Sequence, residues 1–233
     1  MKLLVSDYDG TIYDIENLKD TKNNIDAIKK FKDNGNLFSI ATARPYPSIK
    51  TQTEKFDIPY DYLICCDGAC VFDNKDNLIY SNPIDKKYVS IIAKYLESLK
   101  YVKKYKLLNS YGMNTTNMDD VHQIYVEVFI KNIIDILLIK KELSALISFG
   151  ILHVAYFYKK TFKSDGIKFI ADLNQIRKND IYTIGNGHND IDMLQEYNGS
   201  RVPFSYPKLL LYKFPKNSIP KYIKKIESGK IWK

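Results

Sequence analysis

Long apolar runs are missing from this 233-residue chain, and with them the roughly 18 consecutive residues that a membrane-spanning helix needs. The opening "MKLLVSDYDG" meets Asp7 too soon for a secretory leader, so a cytoplasmic protein without a membrane partner is expected. Cysteine is scarce. Cys65, Cys66 and Cys70 leave an odd one out and crowd at the end of "YLICC", which argues against a disulfide framework and for reduced, packed thiols. Their spacing also lacks the fourth ligand of a zinc site. Only Arg44, Arg177 and Arg201 are arginines, and the lysines behind the net charge of +8 are scattered along the chain. Without clustered basic residues and aromatic platforms, no nucleic-acid partner is expected; the mild positive field suits small anions. There is no internal repeat and no low-complexity tract.

What is present is a globular composition, 45% hydrophobic and 27% charged, long enough for a core and a smaller second domain. Helical and strand patterns alternate, which predicts an α/β fold with a doubly wound, Rossmann-like parallel sheet. "LLVS" reads as a buried opening strand. "DTKNNIDAIKKFKDNG" then sets Ile25, Ile28 and Phe31 on one helical face and stops at Gly35. "NLFSIATA" and "DYLICC" read as further strands, separated by a short helix begun at Pro45 and Pro47, and "VFDNKDNLIYSN" as a hairpin around Asn74 to Asn77.

From Pro83 to Tyr158 the pattern changes. A helix near Asp85 to Leu99, strands in "KYKLLNS" and "QIYVEVFI", a helix over Ile134 to Leu146 and one strand in "ILHVAYFY" predict an antiparallel sheet with one covered face. This is expected to be an inserted α+β domain, residues 83–158, dividing a core of residues 1–82 and 159–233. The core pattern resumes with the helix "SDGIKFIADLNQI", the strand "DIYTIG" and a helix from about His188 to Tyr197; the tail "SRVPFSYPKLLLYKFPKNS" resists assignment.

Ligand sites in open parallel sheets form beyond the carboxyl ends of the strands. Four predicted strand ends deliver polar residues: Asp7 and Asp9, Thr42, Asp67, and "GNGHND" from Gly185 to Asp190. A single carboxylate there is commonly a helix cap. Asp7 and Asp9, two apart, would point the same way if the chain stays extended and would then need a cation between them. Together these ends suggest a hard cation held by Asp7 and Asp190, a hydroxyl at Thr42, and backbone N–H groups around Gly10 and Gly68 to receive an anion.

The chain resembles the haloacid dehalogenase-like phosphatases. "DYDGT" is similar to their first motif, "SIATAR" to the second, "KSDGIKFI" with Lys163 to the third, and "TIGNGHNDIDML" to the fourth, in the same order and spacing. The insertion is similar to the α/β cap of the Cof-like sugar phosphatase branch, and "DGA" at Asp67 to that branch's Asn-Gly-Ala. The resemblance implies that Asp7 forms an aspartyl-phosphate and that Asp9 serves as acid and then base. It implies Mg²⁺ on Asp7, Asp9, Asn186 and Asp190, with Thr42, the Ala43 amide and Lys163 holding the phosphoryl group, and Gly10, Arg44 and Asn189 as substrate contacts. The expected partner is a small phosphorylated metabolite, and the expected state a monomer or weak homodimer.

Three departures stand out: Asn186 for an Asp, Ala43 for a Gly and Asp67 for an Asn. Asn186 keeps an oxygen for Mg²⁺ but loses an anion. A phosphomutase and a non-catalytic phosphosugar-binding protein remain alternatives. His188 reads as solvent-facing, His122 and His153 have no assigned role, Asp165 reads as a cap for a helix beginning at Gly166, and Arg44 either pairs structurally or reaches substrate. The stretch "NSYGMNTTNMDDVHQ", Asn109 to Gln123, reads either as a specificity loop or as a solvated hairpin tip.

Overall fold

The computed structural model describes residues 1–100, 102–128, 147–151, 154–159 and 161–230. In chain order its strands are β1 (Leu3–Ser6), β2 (Leu37–Ala41), β3 (Tyr62–Cys65), β4 (Cys70–Asp73), β5 (Leu78–Ser81), β6 (Val102–Leu108), β7 (Gln123–Val128), β8 (Ile147–Ile151), β9 (Val154–Lys159), β10 (Ile181–Gly185) and β11 (Asn198–Arg201). Seven form the main sheet, ordered β11-β10-β1-β2-β3-β4-β5, in which β11 to β3 run parallel and the β4–β5 hairpin closes one edge antiparallel.

The strand alternation read from the sequence divides the core into two layers. Leu4 faces Ile25, Ile28 and Phe31 of helix Leu18–Asp33 and Tyr222, Ile223 and Ile226 of helix Ile219–Glu227, whereas Leu3 and Val5 face Ile167 and Ile170 of helix Lys163–Leu173 and Met193 of helix Ile191–Glu196. Helices cover both faces, so the core is doubly wound as expected. Each such aliphatic side chain, fully buried, contributes roughly 1.5–3 kcal/mol. The chain leaves β1 toward β2 on one side and returns through β10 on the other, so a topological switch point lies between β1 and β10 at their carboxyl ends.

The inserted segment forms a second, four-stranded antiparallel sheet, β6-β7-β9-β8. Helix Lys86–Ser98 covers it, packing Val89, Ile92 and Leu96 on Val121, Ile124 and Val126. Here one expectation fails: "ILHVAYFY" is not a single strand. β8 and β9 pair antiparallel with Ile151 opposite Ala155, so the stretch contains a reversal that an uninterrupted apolar run conceals. The helix expected over Ile134 to Leu146, and His153, lie outside the described residues.

The segment Asn109 to Gln123 is more than a solvated tip. Tyr111 packs edge-on against Tyr46 and Phe72 of the core at 5.7 and 5.2 Å between ring centres, and its hydroxyl accepts from the Leu78 amide at 3.3 Å. At the junction, buried His122 lies 2.9 Å from Ser81 Oγ through Nε2, and Gln123 Nε2 donates to Cys66 Sγ at 3.0 Å. The three cysteines are free and buried. Among the described residues no helix is long and apolar enough to cross a membrane.

Candidate active site

The carboxyl ends of β1, β2 and β10 open onto a cleft of about 250 Å³ bordered by Asp7, Asp9, Thr42, Ala43, Asn186 and Asn189, with Gly187, His188 and Tyr206 completing the rim. Asp7 follows β1 directly, its amide donating to Ile184 O of β10 at 2.9 Å, so it stays in register with the sheet. The chain then departs from the extended path. Tyr8 O accepts from the amides of Thr11, Ile12 and Tyr13, and the tight turn leaves Asp9 exposed on the same cleft that Asp7 borders. Asp7 and Asp9 each meet a different cationic side chain.

Lys163 serves Asp7. It opens helix Lys163–Leu173, is fully buried, and donates from Nζ to Asp7 Oδ1 and Asp190 Oδ1 at 2.7 Å each. The helix thus starts earlier than expected, and Asp165 sits within its first turn, accepting from the Phe162 amide at 3.0 Å. Burial and the Asp190 carboxylate push the Asp7 pKa up, against the pull of Lys163. Burial by itself would lower the Lys163 pKa, but Asp190 and Asp7 hold it above the usual lysine range.

Arg44 serves Asp9. Its guanidinium forms a bidentate pair, Nε to Oδ2 and Nη2 to Oδ1, both 2.7 Å, while Nη1 donates to Ser48 Oγ at 3.1 Å and the group lies 5.3 Å from the centre of the Tyr8 ring. Thr42 follows β2 with its amide on Ile64 O, and its Oγ1 accepts from the Arg44 amide at 3.1 Å.

Two expectations for backbone and metal contacts need correction. The Gly10 amide donates to Tyr13 O at 2.8 Å and is not free for an anion; its positive φ of 74° and bare Cα instead admit Asn186, whose Nδ2 would lie 2.2 Å from a Cβ at this position. Asp190 is fully buried with both oxygens engaged, Oδ1 by Lys163 and Oδ2 by the Asn186 and Gly187 amides at 2.9 and 2.7 Å, so it does not reach the cleft as a ligand. Gly68 is likewise remote, pressed against the Phe162 carbonyl. Asn189 borders the cleft with Nδ2 on Asp67 Oδ1 at 3.1 Å. Exposed His188 starts a short 3₁₀ turn rather than an α-helix and, like Tyr206, borders the cleft. Tyr206 came from the unassigned tail and had no motif to announce it; its amide donates to Asn186 O at 2.8 Å.

Among the described residues no group of three or more His, Cys, Asp or Glu side chains is gathered for a metal. Mg²⁺ is ordinarily held by one or two carboxylates with water and substrate completing its shell, so Asp7, neutral oxygens of Asp9 and Asn186, and the surplus negative charge behind them suit such an ion.

A family model for haloacid dehalogenase-like hydrolases matches residues 4–151 and 148–200. The chain belongs to that family. The chain is 33% identical over 98 residues to a 5-amino-6-(5-phospho-D-ribitylamino)uracil phosphatase of Bacillus subtilis, a match covering 42% of this chain and 33% of the relative. Its matches to curated relatives span only 38% and 33% of those relatives' length. The hydrolase has the fold of a haloalkanoate-superfamily phosphatase from Bacteroides thetaiotaomicron (TM-score 0.73, 20% identity, 100% of this chain and 96% of that one). It also has the fold of a subclass IIB sugar phosphatase (TM-score 0.71, 19% identity, all of both chains).

Proposed function

We propose that this hydrolase is a Mg²⁺-dependent phosphatase of small phosphorylated metabolites, with sugar phosphates the first candidates. The observation that carries the reading is the buried Asp7–Lys163–Asp190 group opening on a cleft that also holds Asp9, Thr42 and Asn189. In this reading an Asp7 carboxylate oxygen attacks phosphorus in line, the bond to the leaving oxygen breaks, and Asp9, turning from Arg44, gives that oxygen its proton. Water then attacks the aspartyl-phosphate, its proton passes to Asp9, and phosphate departs with Asp7 restored. Thr42, the Ala43 amide, Asn189 and Lys163 offset charge on the phosphoryl oxygens. Asp7, the Asp9 carbonyl and Asn186 would hold Mg²⁺, which when bound neutralises phosphoryl charge and orients the ester. Residues 83–158 would act as the cap that closes over the leaving group and excludes water.

The curated phosphatase relative and the sugar phosphatase of like fold support the substrate class. The test is phosphate release from a panel of phosphorylated sugars and polyols with and without Mg²⁺. Release is expected only with the cation, and Asp7→Asn is expected to abolish it. Undiminished release by Asp7→Asn rules the mechanism out.

A further inference from the structure

The cleft's charge balance leaves one carboxylate without a counter-ion of its own. Asp9 is matched by Arg44, and Asp190 shares Lys163 with Asp7 while its second oxygen takes two backbone amides. Asp192 and Asp165 lie at the start of helix Lys163–Leu173 and accept the Ser164 and Phe162 amides, where the helix dipole compensates them. Among the described residues the Asp67 side chain has only the Asn189 amide as a hydrogen-bond partner and otherwise feels the already shared Lys163. Among the described residues, four carboxylates, Asp7, Asp9, Asp67 and Asp190, thus stand against two cations, Lys163 and Arg44. The formal surplus is that of a divalent cation. Asp67 sits beside β2, its amide on Thr42 O at 3.0 Å, and directly behind Asn189 at the cleft edge.

We infer that Asp67, without being a ligand, supplies part of the negative charge that holds a divalent cation in this cleft. The inference deepens the proposed phosphatase reading and rests on it. With Asn186 neutral and Asp190 turned inward, the carboxylates bordering the cleft are Asp7, which shares Lys163 with Asp190, and Asp9, which is paired with Arg44. The field of a carboxylate directly behind Asn189 therefore adds to theirs and offsets part of the repulsion between Lys163 and a bound cation. Burial raises the Asp67 pKa, and Lys163 and the Asn189 amide oppose the rise and favour the charged form.

The test is Mg²⁺ titration calorimetry without substrate on the native chain, Asp67→Asn and Asp192→Asn, with thermal unfolding followed in parallel. Asparagine tolerates the left-handed backbone at this position (φ 51°) and its amide oxygen still accepts from Asn189, so only the charge is removed. Asp67→Asn is expected to weaken Mg²⁺ binding on the order of fivefold, as a unit charge acts on a divalent ion across a short, partly aqueous path. Its melting temperature is expected to be unchanged or higher. Asp192→Asn, whose charge the helix already offsets, is expected to shift binding less than twofold. Binding indifferent to Asp67→Asn, or weakened as much by Asp192→Asn, overturns the inference and leaves the phosphatase reading intact. No Mg²⁺ binding by the native chain overturns both.

Discussion

Replacing Lys163 by methionine removes the ammonium while keeping most of the side chain's volume. Two hydrogen bonds of 2.7 Å disappear, and Asp7 and Asp190 are left in the interior without their shared counter-ion. Removing one partner of a buried ion pair costs about 3–5 kcal/mol. The lower end applies here, since Asp190 keeps the Asn186 and Gly187 amides and Asp7 relieves its burial by taking up a proton. For a chain of this size about 3 kcal/mol corresponds to a fall of about 6–12 °C in melting temperature. Thermal and urea unfolding in EDTA measure it. Lys163→Met/Asp190→Asn, which removes one of the stranded charges, is expected to recover at least half of the loss. A single variant melting within about 2 °C of the native chain, or a double variant that loses the sum of both single losses, would refute the view that Lys163 neutralises a buried pair.

The remaining predictions concern backbone geometry and pH. Gly68→Ala is expected to destabilise by more than about 2 kcal/mol, because φ is +99° and a Cβ would meet the Phe162 carbonyl 2.0 Å away; urea midpoints measure it. Gly10→Ala is expected to displace the Asn186 side chain, the flexible group its Cβ would strike, and so to weaken Mg²⁺ binding in the same calorimetric titration. Burial lowers the His122 pKa, so the unfolded chain binds the proton more readily. The His122 contribution is complete above the unfolded value near 6.5 and is lost as pH falls through the lower folded value. Urea midpoints at pH 7 and pH 5.5 are expected to differ less in His122→Gln than in the native chain.

The parallel core was legible because its strands are uninterrupted apolar runs and its helices show clean spacing, as at Ile25, Ile28 and Phe31. Helix Ile219–Glu227 was signalled too, by Ser218 before Pro220 and by Ile219, Tyr222, Ile223 and Ile226 along one face, but the preceding "LLLYKF" run obscured it. The reversal between β8 and β9 left no turn residue other than Gly150 to betray it. At the site, position in the chain was readable and partnership was not. Asp7 and Asp9 look equivalent in "DYDGT", yet a turn nucleated by the Tyr8 carbonyl gives one to Lys163 and the other to Arg44. Asp190 reads as a ligand until both of its oxygens are seen to be engaged. Tyr206 reaches the cleft through a loop whose path depends on β11 pairing with β10.

The ammonium that neutralises Asp7 comes from a residue 156 positions later, beyond the entire inserted segment. During synthesis the opening strand therefore emerges with an acidic end that nothing made so far can balance. The end of β1 is electrostatically incomplete until the chain beyond residue 160 returns to it through helix Lys163–Leu173. Folds rich in contacts of such sequence separation form slowly. A chain halted within the insertion would therefore carry Asp7 without the ammonium that neutralises it.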